Sequence, residues 1–148
     1  MAYVELIRNP FVILHKDPVR KLVRFRRTDQ RLVSDQLATM LEEMMTTYEQ
    51  LLPIPERATW VLLQDMRDAP ILNQSAEATL LRYLPRMVAG FRKRALLLRT
   101  AIGLMQARRT LQTLKSQPPR PAEPLPPQPD SAVFDDEALA LSYLLAAD

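Results

Sequence analysis

Two short apolar runs, Trp60-Val61-Leu62-Leu63 and Ala95-Leu96-Leu97-Leu98, constrain the fold of this chain more than any other feature. Both are bounded by polar or charged residues, and both are apolar at consecutive rather than alternate positions. That is the pattern of a strand covered on both faces, and such short runs fit strands better than buried helices. Between them Leu80, Leu84, Met87, Val88 and Phe91 recur at helical spacing, the mark of one buried helix face. Strand, helix and strand in succession predict a parallel pair joined by a crossover helix. Pro85 falls inside that helix, where a straight interior loses about 3 kcal/mol, so a kink is expected.

The rest of the chain extends the same plan. Residues 3–14 read as extended, interrupted at Asn9-Pro10, as a turn or edge strand would be. Lys16-Asp17-Pro18 reads as a turn, and Lys21 to Arg27 as a second strand antiparallel to the first. Ser34 is a good cap for a first helix, with Asp35 near its positive end. Leu37, Met40, Leu41, Met44, Tyr48, Leu51 and Leu52 form its apolar stripe, and Pro53 and Pro55 end it. Thr100 is placed to cap a helix carrying Ile102, Met105 and Leu111. Ala132-Val133-Phe134 reads as a last strand, and Asp135 or Asp136 caps a last helix with Leu139, Leu141, Leu144 and Leu145. The expected class is α/β: a mixed, mostly parallel sheet of about five strands with about four helices.

At 148 residues one domain is expected over 1–148. Seven prolines within residues 117–129 bar a helix or central strand there and predict a semi-rigid connector. There is no cysteine, which excludes a disulfide framework, thiolate metal sites and a cysteine nucleophile. Neither a signal peptide nor an apolar run near membrane-spanning length is visible, so a cytoplasmic protein with no membrane partner is expected. The net charge of +3 conceals a segregation: residues 82–120 carry ten basic residues and no acidic one, while 35–81 and 121–148 are acidic. Either these blocks neutralise one another in the fold, or the basic block meets an acidic partner or a nucleic acid.

Residues 60–98 resemble the STAS domain of bacterial anti-sigma-factor antagonists. That family shows an apolar strand ending in Asp, a short loop, two apolar residues, then Asp-Ser-Ser-Gly opening a helix. Here Val61-Leu62-Leu63-Gln64-Asp65 ends the strand, Ile71-Leu72 supply the apolar pair, and Asn73-Gln74-Ser75-Ala76 occupy the motif, followed by Leu80-Leu81-Arg82-Tyr83. Val133 to Leu141 resembles the family's last strand and helix. The resemblance implies a STAS-like fold and a regulatory, protein-binding role in a bacterium. In switch-type members the first serine of the motif is phosphorylated. Gln74 stands there in this chain and has no hydroxyl to modify. Ser75 matches the second serine, with helix capping as its simplest role.

Little points to catalysis, and no cofactor or metal is expected. His15 is the only histidine and reads as an exposed turn residue. Asp65 and Asp68 are the best-placed carboxylates; they can serve Mg²⁺ or acid–base chemistry, or satisfy loop amides and pair with Arg67. The expected partner surface is Asp65, Asp68, Asn73, Gln74 and Ser75. The alternative, a basic nucleic-acid-binding accessory protein, rests on Arg82, Arg86, Arg92, Lys93, Arg108 and Arg109, with Arg94 beside them. Base stacking has few aromatics to use in that block, Tyr83 and Phe91 alone. Partner identity and oligomeric state stay open.

Overall fold

The computed structural model describes residues 3–31, 34–70, 74–100, 103, 105, 108, 109, 112 and 128–147, with the backbone alone for 34–36 and 74–76. In chain order the elements are β1 Val4–Arg8, β2 Val12–Asp17, β3 Leu22–Arg27, α1 Ser34–Leu51, a 3-10 helix Ile54–Thr59, β4 Val61–Asp65, α2 Gln74–Val88, β5 Lys93–Leu97, β6 Asp130–Phe134 and α3 Glu137–Leu145. The six strands lie in sequence order. β1, β2 and β3 are antiparallel, and β3 through β6 are parallel. The expected class stands, with one strand more than expected.

The extra strand comes from residues 3–14, which form two strands and not one interrupted strand. Asn9 Oδ1 accepts from the backbone N–H groups of Phe11 and Val12 at 2.9 and 2.8 Å, folding the chain back before Pro10 can end the sheet. β2 then runs on through Asp17, whose Oδ1 accepts from Val19 and Arg20 N–H and moves the turn past Pro18. His15 therefore sits within β2, half-buried beside Tyr3, rather than on an exposed turn.

Each face of the sheet has its own core. On one, α1 and α2 pack over Val12, Leu14, Val23, Phe25 and Leu62. On the other, Ala140 and Leu144 of α3 cover Leu22, Val61, Leu63, Ala95 and Leu97. β4 is buried along its whole length, as its unbroken apolar run requires. The α1 stripe is displaced slightly from the expected one: Met45 is fully buried and Leu51 is exposed, because the spacing 37, 41, 44, 45, 48, 52 tracks one face more closely. In α3, Leu139 and Leu145 are exposed and only Ala140 and Leu144 are buried. A nine-residue helix apolar on most sides can press only one stripe onto the sheet.

Capping fixes the ends. Asp136 Oδ1 accepts from Leu139 N–H at the start of α3. Thr100 Oγ1 accepts from Gly103 N–H at 3.0 Å, the expected cap; most of the helix predicted beyond it lies outside the described residues, as do residues 117–127 of the proline segment. Arg57 is wholly buried in the 3-10 helix. It donates to the carbonyls of Leu52, Arg86, Met87 and Ala89, which end α1 and α2, and its guanidinium lies 4.5 Å from the Tyr48 ring centroid. Gly90 has φ +87°, and a Cβ there would stand 2.9 Å from the Ile54 carbonyl oxygen. Only glycine fits that turn from α2 into β5. Among the described residues no helix is long and apolar enough to cross a membrane.

Candidate functional site

The parallel strands β3, β4 and β5 end together, with α2 starting from the loop after β4. Open α/β folds present their binding surface at this end. Asp65 closes β4 and faces Arg26 across the ladder. Its Oδ2 accepts from Arg24 Nη2 at 2.9 Å and from Arg67 Nη2 at 2.8 Å, and its Oδ1 from Arg67 Nε at 2.9 Å and Arg67 N–H at 3.2 Å. Burial raises the Asp65 carboxyl, but the hydrogen bonds from Arg67 and Arg24 outweigh it and bring the pKa down to about 2. Glu137, at the start of α3, adds a second carboxylate 3.3 Å from Arg24.

Asp65 is only 3% exposed. Its carboxylate is committed to two arginines, so it supports the rim of the site and presents no free oxygen to a partner or to Mg²⁺. Asp68 is different. It stands at the surface, with Oδ2 3.4 Å from Arg26 Nη2 and Oδ1 3.1 Å from Arg99 Nη2. These arginines come from β3 and from just beyond β5, so Asp68 ties the two strands flanking β4 at their exposed ends.

Of the remaining expected surface residues, Asn73 lies outside the described residues. Gln74 is the first residue of α2, and Ser75 falls inside its first turn rather than ahead of it, so the capping role read for Ser75 is not the one its backbone position allows. The arginines that complete the site, Arg24, Arg26 and Arg99, were not singled out from the sequence. A signal existed: in Leu22-Val23-Arg24-Phe25-Arg26, period two puts Arg24 and Arg26 on one face, opposite Val23 and Phe25.

The six basic surface candidates do not form one free patch. Arg86 Nη2 bonds Glu49 Oε1 at 2.9 Å. Arg92 donates to the Leu144 carbonyl, and Lys93 to the carbonyls of Tyr143 and Ala146, where cations favour the negative end of α3. Arg82, Arg108 and Arg109 are exposed. Arg94 is not at the surface at all, being 3% exposed within the sheet. At the opposite, amino end of the strands lies an open cavity of about 460 Å³, lined in part by Ile54, Ala58, Gly90 and Phe91.

No family model matches the chain, and no curated protein matches it. Among solved structures it is similar to an uncharacterized protein of the DUF3478 family with a SpoIIAA-like fold, from Shewanella loihica PV-4. The TM-score is 0.61 at 15% identity, covering 97% of this chain and 98% of that one. At that identity the likeness speaks to fold, and the fold is SpoIIAA-like, the STAS-like fold that the sequence resemblance implied.

Proposed function

We propose that this chain is a non-catalytic, STAS-like module that binds a regulatory protein partner through the carboxyl end of β3–β5 and the start of α2. The observation that carries the reading is the division of labour between two aspartates. Asp65, buried under Arg24 and Arg67, fixes the loop, while Asp68, Arg26 and Arg99 form a surface rim of mixed charge. Mixed charge at a rim favours selective encounter. Acid–base or metal chemistry would need a carboxylate with free oxygens, and Asp65 has both of its oxygens engaged. Gln74 cannot accept a phosphoryl group, so binding on this reading is constitutive rather than switched.

The experiment is a pull-down with the tagged full chain from the source cell, at low and moderate salt, beside Gln74→Arg. A stoichiometric protein retained at moderate salt and lost with Gln74→Arg is the expected result. Recovery of nucleic acid that disappears at moderate salt would replace this reading with the basic accessory-protein one.

A further inference from the structure

The outward side of α3 is apolar and exposed. Its inner stripe, Ala140 and Leu144, is buried against the sheet, yet Leu139 and Leu145 are 59% and 42% exposed. Ala138, Ser142 and Ala146 are exposed with them. Positions 138, 142 and 145, and 139, 142 and 146, follow the three- and four-residue steps of one helix face. Residues 138–147 contain no charged side chain. Among the described residues the other exposed large apolar side chains, Val4, Val19, Leu51 and Met105, stand singly, and single ones are ordinary at a protein surface. A stripe two turns long with two leucines and no charge is a face that a partner covers.

The two ends of this helix carry opposite charge. Asp135 and Asp136 are exposed just ahead of it, and Glu137 is its first residue. At the other end Lys93 Nζ reaches the carbonyls of Tyr143 and Ala146 at 3.2 Å each, and Arg92 Nη2 that of Leu144 at 3.2 Å. Asp148 lies outside the described residues. An occupant of this face must therefore be apolar along its middle, basic beside the start of α3 and acidic beside its end. The same helix turned end for end meets all three conditions. A two-fold axis through Ser142 sets Leu139 of one copy against Leu145 of the other and Ala138 against Ala146, with the small Ser142 side chains at the axis. Asp135 and Asp136 of each copy then approach Lys93 and Arg92 of the other, and the helix dipoles run in opposite directions. A lipid surface fits less well, since helices that lie on bilayers carry Lys or Arg beside the apolar side, and α3 contains neither.

We propose that α3 is a self-association face, through which two copies of this chain pair antiparallel about Ser142. The pairing does not rest on the strand-end rim or on the regulatory partner read there. The nine residues of α3 make a helix about 14 Å long. The contact is accordingly small, and the dimer is a transient one with a Kd of about 10 µM to 1 mM.

The test is sedimentation velocity of the full chain over about 5 µM to 2 mM, a range that brackets this Kd. A monomer–dimer equilibrium is expected. Ser142→Arg puts two like charges at the axis and should weaken it tenfold or more, with the Tm unchanged because that position is exposed in the single chain. The chain has no cysteine, so single substitutions report the geometry under mild oxidation. Ser142→Cys should link to itself. Leu139→Cys mixed with Leu145→Cys should give chiefly the mixed disulfide dimer, and each alone should stay largely unlinked. A chain that is monomeric throughout overturns the proposal and leaves the face to a different protein. A dimer that Ser142→Arg leaves intact overturns it as well, as does Leu139→Cys linking to itself in preference to Leu145→Cys. Should Ser142→Arg lower the Tm, the cross-linking pattern decides by the same outcomes.

Discussion

At the scale of single residues, the most consequential group for stability is Arg57. Helix carboxyl ends leave carbonyls without partners, and one guanidinium serves the ends of both α1 and α2. Arg57→Met keeps much of the volume but strands those oxygens in a buried place. The expected cost is about 3 kcal/mol, read as a lower denaturant midpoint at unchanged slope; a loss under ~0.5 kcal/mol would mean that the helix ends find other donors. Asp65 makes a second residue-level prediction. Its folded pKa of about 2 lies below the ordinary 3.8. The carboxylate therefore contributes stability that is complete above about pH 4 and is lost as the pH falls through 2. Asp65→Asn should lower stability at neutral pH and flatten the pH dependence between 4 and 2. An unchanged acid limb in urea titrations would show that other carboxylates govern it. The pairing of Asp65 with Arg67 was among the readings its sequence position offered, whereas the role of Arg57 was not readable in advance. Arg57 lies in an unpatterned stretch after two prolines, and its burial follows from where α1 and α2 end in space.

At the scale of elements, much was legible because buried strands and amphipathic helices have different periods. β4, β5, α1 and α2 follow from apolar runs and stripes within a residue or two. What escaped was decided by single polar side chains, such as the Asn9 amide that closes β1 on β2, or by tertiary competition for a face, as in α3. Four leucines there read equally well as core, yet the sheet admits only the stripe through Ala140 and Leu144. That yields a contrast. Leu144→Ala should cost about 2–5 kcal/mol by opening a cavity against Leu63 and Leu97, while Leu139→Ala, 59% exposed, should stay within about 0.5 kcal/mol. Equal losses in chemical unfolding would mean that α3 sits on the sheet with another face inward. The candidate site was legible only in part for the same reason: Asp65 and Asp68 stand out after an apolar run, but the arginines that separate their roles come from strands far apart in sequence.

For the whole molecule, the charge blocks and the two cores are tied together by ion pairs and backbone contacts. The basic block is tied into the acidic ones by Arg86 with Glu49 and Arg99 with Asp68, while Arg92 and Lys93 are anchored to the carboxyl end of α3. Helices cover both sheet faces, while the polar rim at the carboxyl ends of the strands is accessible. If that rim recognises a partner, its charges act on encounter and selectivity more than on folding. Asp68→Lys is the discriminating change. It removes two surface ion pairs, each of which contributes about 0–1 kcal/mol, so thermal stability should fall by about 1 kcal/mol or less. It also places three cations together where a carboxylate had separated two. A partner that reads this rim should lose affinity tenfold or more, mainly through slower association and with an altered salt dependence. Binding kinetics against the protein recovered with the wild-type chain give the answer: an affinity unchanged across salt would move the contact surface off the strand ends, while a large loss of stability with it would make Asp68 a brace for β3 and β5 rather than a contact.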